Sequence, residues 1–475
     1  VPVSSRYRPA AHFLELGEGF ADVVAPARFP RHQLRFRNQR WAERIGLDTL
    51  DDGEWERHFA RFEPLPENLP EPLALRYHGH QFRTYNPDLG DGRGFLFAQL
   101  RDDRGRLLDL GTKGSGQTPW SRSGDGRLTL KGGVREVLAT EMLEALGVYT
   151  SKSFSLYETG ESLERNDEPS PTRSSVLVRL GHSHVRFGSF QRHLALGDHE
   201  RIGALLDHCV EHYAPGLARA EGEDAATAFF ALVVERSLQL GASWMAAGFV
   251  HGVLNTDNMN VTGESFDYGP WRFLPSYDLD FTAAYFDQTG LYSFGRQPDA
   301  VLWNLTRLAE ALSPLTPVAG LARVLQDFAP RFLGAYAERV LLRFGLAPHG
   351  DERDADFLSR FRAFATESEI GHDQLFFDWY GGAASAARAA ASPEAGRYQG
   401  PLWLALRRSL DEYAAIAPAR LAEAYFQGER PCTMLIDEVE ALWEAIAERD
   451  DWGPFLDKVA DVRAMGEALG LERTR

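Results

Sequence analysis

Two lobes of α+β type are the fold that this sequence predicts, and three observations predict it. Dense glycine and short apolar runs fill residues 73–193, the pattern of strands joined by tight turns. From Leu194 onward Leu, Ala and Phe recur at spacings of three and four, as in LARVLQDFAPRFLGAYAERVLLRF, which is helical periodicity. The 475 residues are 44% hydrophobic and 25% charged, which permits a large core and rules out disorder over most of the chain. Strands first and helices later give a sheet-bearing small lobe at 73–193 and a helical large lobe at 194–475. Residues 1–72, rich in Arg, Phe, Trp and Pro, read as short helices and loops, an extension docked on that core. The run GGAASAARAAASPEAG at 381–396 reads as a flexible connection.

Charge and cysteine content narrow the partners. Lys plus Arg number 51 against 68 Asp plus Glu, a net charge of −17 that opposes attraction to nucleic acid or anionic lipid. Cys209 and Cys432 are the only cysteines and form no CxxC pair, so a reducing compartment, the cytoplasm, is expected, with structural burial for both thiols. No run approaches the roughly 18 to 20 apolar residues of a membrane helix, and VPVSSRYRPAAHFLEL lacks the apolar centre of a signal peptide. A monomer that avoids membranes is the expectation.

Chemistry concentrates in two windows. The first opens with Gly90-Asp91-Gly92-Arg93-Gly94, where glycines let backbone N–H groups approach an anion and Arg93 adds a cation. Taken alone, such a run equally describes a hairpin turn. In Leu107–Lys113, period-two alternation puts Lys113 on the face opposite Leu108 and Leu110. The glycine-rich run GSGQTPWSRSGDGR follows, containing Asp125 and Gly126, and then a helical stripe of Val134, Val137, Leu138, Met142 and Ala145. A strand lysine, a glycine-rich turn and a helix with glutamates are the parts of a kinase-like small lobe. The glutamate that holds Lys113 is Glu136 or Glu141. At 100° per residue Glu141 falls within the apolar stripe, where an unpaired carboxylate is costly, and Glu136 lies nearly opposite, where solvent is the plain alternative. The strand around Arg179 leads to Arg186, and two arginines so placed can clamp a polyphosphate or pair with surface carboxylates.

The second window runs from His251 to Gly269. A kinase catalytic loop reads H-R-D-x-x-x-x-N, with the base two residues after His and a metal-binding Asn seven after, ahead of an Asp-Phe-Gly metal site. Here Asn258 is seven residues after His251, and Asp267-Tyr268-Gly269 stands in the second place, but the base position is Val253. The loop offers Asp257 instead. That combination favours a magnesium site over ordinary kinase base placement.

These residues, with Tyr77-His78-Gly79-His80-Gln81-Phe82, Lys113-Gly114-Ser115-Gly116, Arg135-Glu136, Asn255-Thr256-Asp257-Asn258-Met259, Gln297-Pro298 and Trp303-Asn304-Leu305, resemble the selenoprotein O family, also called YdiU. The likeness runs from about residue 70 to about residue 310 and is fainter on either side. Members are kinase-like pseudokinases that transfer AMP from ATP to protein hydroxyls, with the nucleotide inverted relative to a kinase. The resemblance implies a protein-kinase-like two-lobed fold, ATP as substrate, Mg²⁺ or Mn²⁺, and protein acceptors bearing Ser, Thr or Tyr. It makes Asp257 the base, Asn258 and Asp267 the metal ligands, and Glu136 the partner of Lys113. Gly90, Gly92, Arg93, Lys113, Asp125, Gly126, Arg179, Arg186 and Asp267 would line the nucleotide site.

The chain also departs from the family. Many members carry a cysteine or selenocysteine near the C-terminus, and some bridge it to a cysteine after the Asp-Tyr-Gly segment. This chain reads GLERTR there, and YGPWRFLPSYDLDFTAAYF has no cysteine, so gating by that bridge is not expected. Beyond about residue 395 the Asn-Pro and Arg-Asn signature is absent. Rival readings are a conventional phosphotransferase, a UMP transferase, and a non-catalytic ATP-binding module. His208-Cys209-Val210-Glu211-His212 fits the H-x-x-E-H of inverted zinc peptidases, but no further ligand motif follows, and Ala214-Pro215-Gly216 marks a helix end. The pairs His78/His80 and His182/His184 are assigned no metal.

Overall fold

Strand alternation in the first 181 residues builds one curled antiparallel sheet. The computed structural model describes residues 3–166, 168–218 and 224–471, so the terminal ERTR lies outside it. Seven strands run in the order Ala21–Val23, Leu73–Leu75, Leu96–Arg101, Leu107–Lys113, Thr172–Gly181, Lys152–Leu163, Gln33–Arg37. Pro9–Ala10 adds to Leu96–Arg101, and Leu128–Thr129 to Thr172–Gly181. Neighbouring strands Leu107–Lys113 and Thr172–Gly181 pair Gly111 with Arg179 and Lys113 with Leu177.

The period of two sorts the side chains between two cores. Leu108, Leu110, Val176, Val178 and Leu180 face an aromatic cluster of Trp41, Trp55, Phe59 and Phe62, supplied by the helices Gln39–Ile45 and Asp52–Phe59 and the turn after them. Leu107, Leu156 and Leu177 face the other way, onto the helix Leu130–Ala145 and the main core. The segment up to residue 72, expected as short helices and loops, thus contributes a covering layer and also the two strands at the ends of the seven-strand path, because its alternating residues can complete a sheet whose edges the later strands leave open.

Helices follow. Ala225–Ala247 is apolar on nearly every side and is buried in the middle of them, started by Asp224, which accepts from the Thr227 amide, and stopped by Gly248 at φ +67°. Gln297–Leu312, Phe328–Arg343 and Glu352–Ser368 pack around it or on one another. Gly453–Leu469 crosses back to the sheet and lies on Leu130–Ala145, so close that a Cβ on Gly466 would sit 3.0 Å from Ala145 Cα. The expected flexible connection at 381–396 is instead folded as short helical turns. Ala389 is buried there and Arg388 donates to the Phe377 carbonyl, because alanine-rich sequence forms helix readily once a neighbour covers it.

No helix among the described residues is long and apolar enough to cross a membrane. Cys209 is buried and Cys432 half-buried, and both are free thiols that burial pushes up, Cys432 to about 11. Structural burial is the expectation for both, and Cys209 meets it fully and Cys432 in part.

Candidate active site

Lys113 ends its strand on the face turned to the helix Leu130–Ala145, and Glu136 meets it from that helix. Lys113 Nζ lies 2.5 Å from Glu136 Oε1 and 2.7 Å from Asp267 Oδ1. Glu136 is 1% exposed, so the solvated face considered for it does not exist. The helix is covered on almost every side, and a one-stripe reading fails for it. Glu141 is equally buried but serves elsewhere. Arg463 of the last helix grips it with two bonds of 2.7 and 2.8 Å, and Arg40 adds a third at 3.2 Å.

Asp267 sits at φ +64°, a left-handed conformation that aspartate adopts at a local cost. Arg179 Nη1 reaches the same Oδ1 at 3.2 Å. Lys113, Arg179 and Arg93 outweigh burial and hold the Asp267 carboxyl well below the usual carboxylate range. Arg135, the neighbour of Glu136, donates to the Gly269 and Trp271 carbonyls and so ties the glutamate helix to this loop.

The turn that carries Asp257 is a 3₁₀ segment, Thr256–Asn258, with Asn255 before it. Asp257 Oδ1 is buried and has no hydrogen-bond partner among the described residues, and burial pushes its carboxyl up to about 6 against the pull of Arg186. Asn258 donates Nδ2 to the Val253 carbonyl at 3.0 Å, which leaves its amide oxygen uncommitted by that bond. Two residues support the turn from below. Asn304 donates to the Leu254 carbonyl at 2.8 Å, and Gln297 accepts from the His251 amide at 3.1 Å. His251 in turn contacts the Phe266 carbonyl through Nε2 at 3.1 Å, linking the two loops.

A cleft of about 660 Å³ lies between these parts. Gly90, Gly92, Arg93, Lys113, Asp125, Gly126, Arg179, Arg186, Asp257 and Asp267 all line it. Glu136 stands behind Lys113, and Asn258 is half-buried beside Asp257, both outside the lining. Two glycines have reasons that local sequence could not supply. A Cβ on Gly90 would lie 2.4 Å from the Trp120 ring, and one on Gly126, at φ +70°, would lie 2.2 Å from the Gly116 carbonyl carbon. Both permit the glycine-rich segments to press together rather than only to expose amides. Asp125 lines the cleft with its oxygens engaged, by Arg165 at 2.8 Å and the Arg127 amide at 2.9 Å.

Sequence reasoning assigned no role to several lining or supporting residues. Asp91 receives Arg186 at 3.1 Å and accepts from the Leu75 amide, so it orients a cation of the cleft. Tyr77 lies under that guanidinium at 4.2 Å. Trp120 is fixed by a 2.9 Å bond to Asp22 from the N-terminal residues. The only available signal was their place inside the quoted motifs, as with Gln297 and Asn304.

The H-x-x-E-H residues do not converge as a peptidase site. Glu211 is exposed, and His212 bonds Glu15 at 3.1 Å. His12 also meets Glu15, at 2.8 Å, and its Nε2 faces the obligate donor Arg101 at 3.2 Å, so Nδ1 carries the proton and has no lone pair for a metal.

A family model described as protein adenylyltransferase SelO matches residues 3–463. The chain belongs to the SelO family. The match extends well beyond the 70–310 region where the motifs were recognised. A protein nucleotidyltransferase YdiU of Synechocystis sp. is 44% identical over 96% of this chain and 98% of its own length. One from Gloeobacter violaceus is 45% identical over 96% and 95%, and one from Vibrio cholerae 37% identical over 78% and 70%. SelO membership makes this an enzyme of the nucleotidyltransferase class.

Proposed function

We propose that this SelO-family chain transfers AMP from ATP to Ser, Thr or Tyr hydroxyls of proteins and releases pyrophosphate. One observation carries the assignment: Asp257, with a buried and unpartnered carboxylate oxygen, opens on the cleft that Lys113, Arg179, Arg186 and Asp267 line, while the kinase base position is Val253. The reading includes a kinase-like two-lobed arrangement, with the sheet and the Leu130–Ala145 helix, backed by Gly453–Leu469, on one side of the cleft and the helices around Ala225–Ala247 on the other.

In this reading Asp257 takes the proton of the acceptor hydroxyl. The hydroxyl oxygen bonds to the α-phosphorus, the bond from that phosphorus to the bridging oxygen breaks, and pyrophosphate leaves with the electron pair. Arg93, Lys113, Arg179 and Arg186 hold the phosphates, with ATP turned so that its α-phosphate faces Asp257. Asp91 and Tyr77 steady Arg186, and Glu136 steadies Lys113. Asn258 and Asp267 fit a divalent cation, Mg²⁺ or Mn²⁺, since one offers an uncommitted amide oxygen and the other a carboxylate held ionised. That ion supplies neutralisation of phosphate charge.

Intact-mass measurement after incubation with ATP, Mg²⁺ or Mn²⁺ and a protein acceptor tests the proposal. A gain of AMP mass that Asp257→Ala loses is the expected result. A gain of phosphate mass would overturn it in favour of a kinase, and a gain only when UTP replaces ATP would convert it to UMP transfer.

A further inference from the structure

Beside Asp257 the chain forms a short hairpin, Gly79–Gln81 paired with Thr84–Asn86, closed by Phe82 and Arg83. Both tip residues are left-handed, at φ +47° and +64°. Two-residue turns of this kind normally carry Asn-Gly, because a side chain is strained there. Phe and Arg at such positions are held only where the surroundings compel them, and strain of this sort gathers at functional sites.

The compelling contacts come from the catalytic turn. Thr256 Oγ1 accepts from the His80 amide at 2.7 Å, and Asn255 Oδ1 accepts from the Phe82 amide at 3.0 Å. Asn255 Oδ1 also accepts from Tyr292 O–H at 2.8 Å. The hairpin lies flush with the turn, since a Cβ on Gly79 would be 3.3 Å from Asp257 Cβ. Phe82 then stacks edgewise with Phe286 at 5.9 Å and leans on Tyr292 at 5.1 Å.

The outer surface of this assembly is unusual for the molecule. Tyr285 is 80% exposed and Phe286 47%, and they are the only exposed Phe, Tyr or Trp residues among the described residues. Arg83 is exposed and has no carboxylate partner among the described residues, and the same holds for Arg122 at the cleft mouth, close enough to Asp257 to pull its carboxyl down. In a chain of net charge −17, Arg122 at the cleft beside Asp257 and Arg83 at the tip of the adjoining hairpin, its guanidinium 5.6 Å over the Trp303 ring, are exposed cations that can meet an acidic residue of an acceptor.

We propose that the Phe82–Arg83 tip, Tyr285 and Phe286, and Arg122 form the acceptor-binding edge of the cleft. It takes an extended protein segment whose target hydroxyl is flanked by an acidic residue, which meets Arg83 and Arg122, and by a large apolar or aromatic residue, which packs on Phe286. The proposal rests on the nucleotidyl-transfer reading above and names the acceptor chemistry of that same site.

Peptides of one frame around a serine test it with the full chain, ATP and Mg²⁺ or Mn²⁺. The set holds an Asp/Phe peptide, a Lys/Phe peptide, an Asp/Gly peptide and a Lys/Gly peptide. The Asp/Phe peptide is expected to have at least tenfold higher kcat/KM than the Lys/Gly peptide. Arg83→Glu should raise KM for the Asp/Phe peptide at least fivefold, lower it for the Lys/Phe peptide, and leave KM for ATP unmoved, a split that a folding defect cannot produce. Replacing the tip by Phe82→Asn with Arg83→Gly relieves the backbone while removing the Phe82 packing, so the variant should stay folded, with unmoved KM for ATP, yet lose the preference for acidic peptides. Equal kcat/KM on all four peptides, alongside measurable AMP transfer, overturns the proposal alone. Transfer to no peptide and no self-modification overturns the nucleotidyl-transfer reading, and the proposal with it.

Discussion

Glu136 and Glu141 stand five residues apart on one helix, both buried and both paired with cations, and their surroundings are opposite. Glu136 shares its lysine with Asp267, and that lysine lines an open cleft. Glu141 is closed in by Arg463 and Arg40, with the last helix lying across it. A third buried glutamate, Glu264, has no ion pair within 4.0 Å among the described residues and accepts only the His182 amide, at 2.7 Å. Burial and pairing therefore do not mark a functional carboxylate. What sets Glu136 apart, and supports the role proposed for it, is a partner with one side turned to an open cleft. A saturated pair fastens elements together, and its loss leaves a charge without a partner.

The comparison predicts a ladder of effects. Asp257→Ala, which removes the one cleft carboxylate with a free buried oxygen among the described residues, should cut AMP transfer by about 10³-fold with no loss of melting temperature. Single-turnover assays against a heat-stable acceptor would show it, and wild-type rates in that variant would dissolve the assignment. Glu136→Gln keeps the shape but loosens Lys113, and about 10- to 100-fold loss of kcat with little change in stability is expected.

Glu141→Ala should do the reverse. It leaves Arg463 without its main partner, and destabilisation of about 3 kcal/mol is expected in urea unfolding, with kcat within a few-fold of wild type. A dead Glu141→Ala beside a fully active Glu136→Gln would invert the comparison.

The smallest effect concerns Glu264, whose carboxyl burial raises from 4.5 to about 7. The folded state therefore binds that proton more tightly than the unfolded chain. The stability this adds is complete below pH 4.5, declines as pH rises to about 7, and is lost above. Glu264→Gln keeps an acceptor for the His182 amide without a charge, so it should melt about 1–3 °C higher than wild type at pH 8. The difference should vanish as the pH approaches 4.5. A constant difference across that range would mean that packing, not ionisation, separates the two.

Much of this site was legible in the residue order. The alternation in Leu107–Lys113 put Lys113 on the correct face, because successive strand side chains must point to opposite sides. The spacing of His251, Asn258 and Asp267 located both loops of the cleft, since that spacing is a property of one short connected stretch. Periodicity was less informative for Leu130–Ala145. It assumes one buried face, and here the sheet and the Gly453–Leu469 helix cover almost all of the helix. The 381–396 run misled for a related reason: small residues that look like a linker also pack closely when another surface is present.

The sequence by itself determined the change from strands to helices near residue 194, where the glycine-rich turns fall, and which family the chain belongs to. Those features depend on backbone geometry and on residues a few positions apart. Tertiary structure decided the partners. Lys113 finds Glu136 across 23 residues, Arg463 finds Glu141 across 322, and Phe82 finds Asn255 across 173. Such pairs are chosen by how packed elements present their side chains, which is set by the burial of many residues together and by no local pattern.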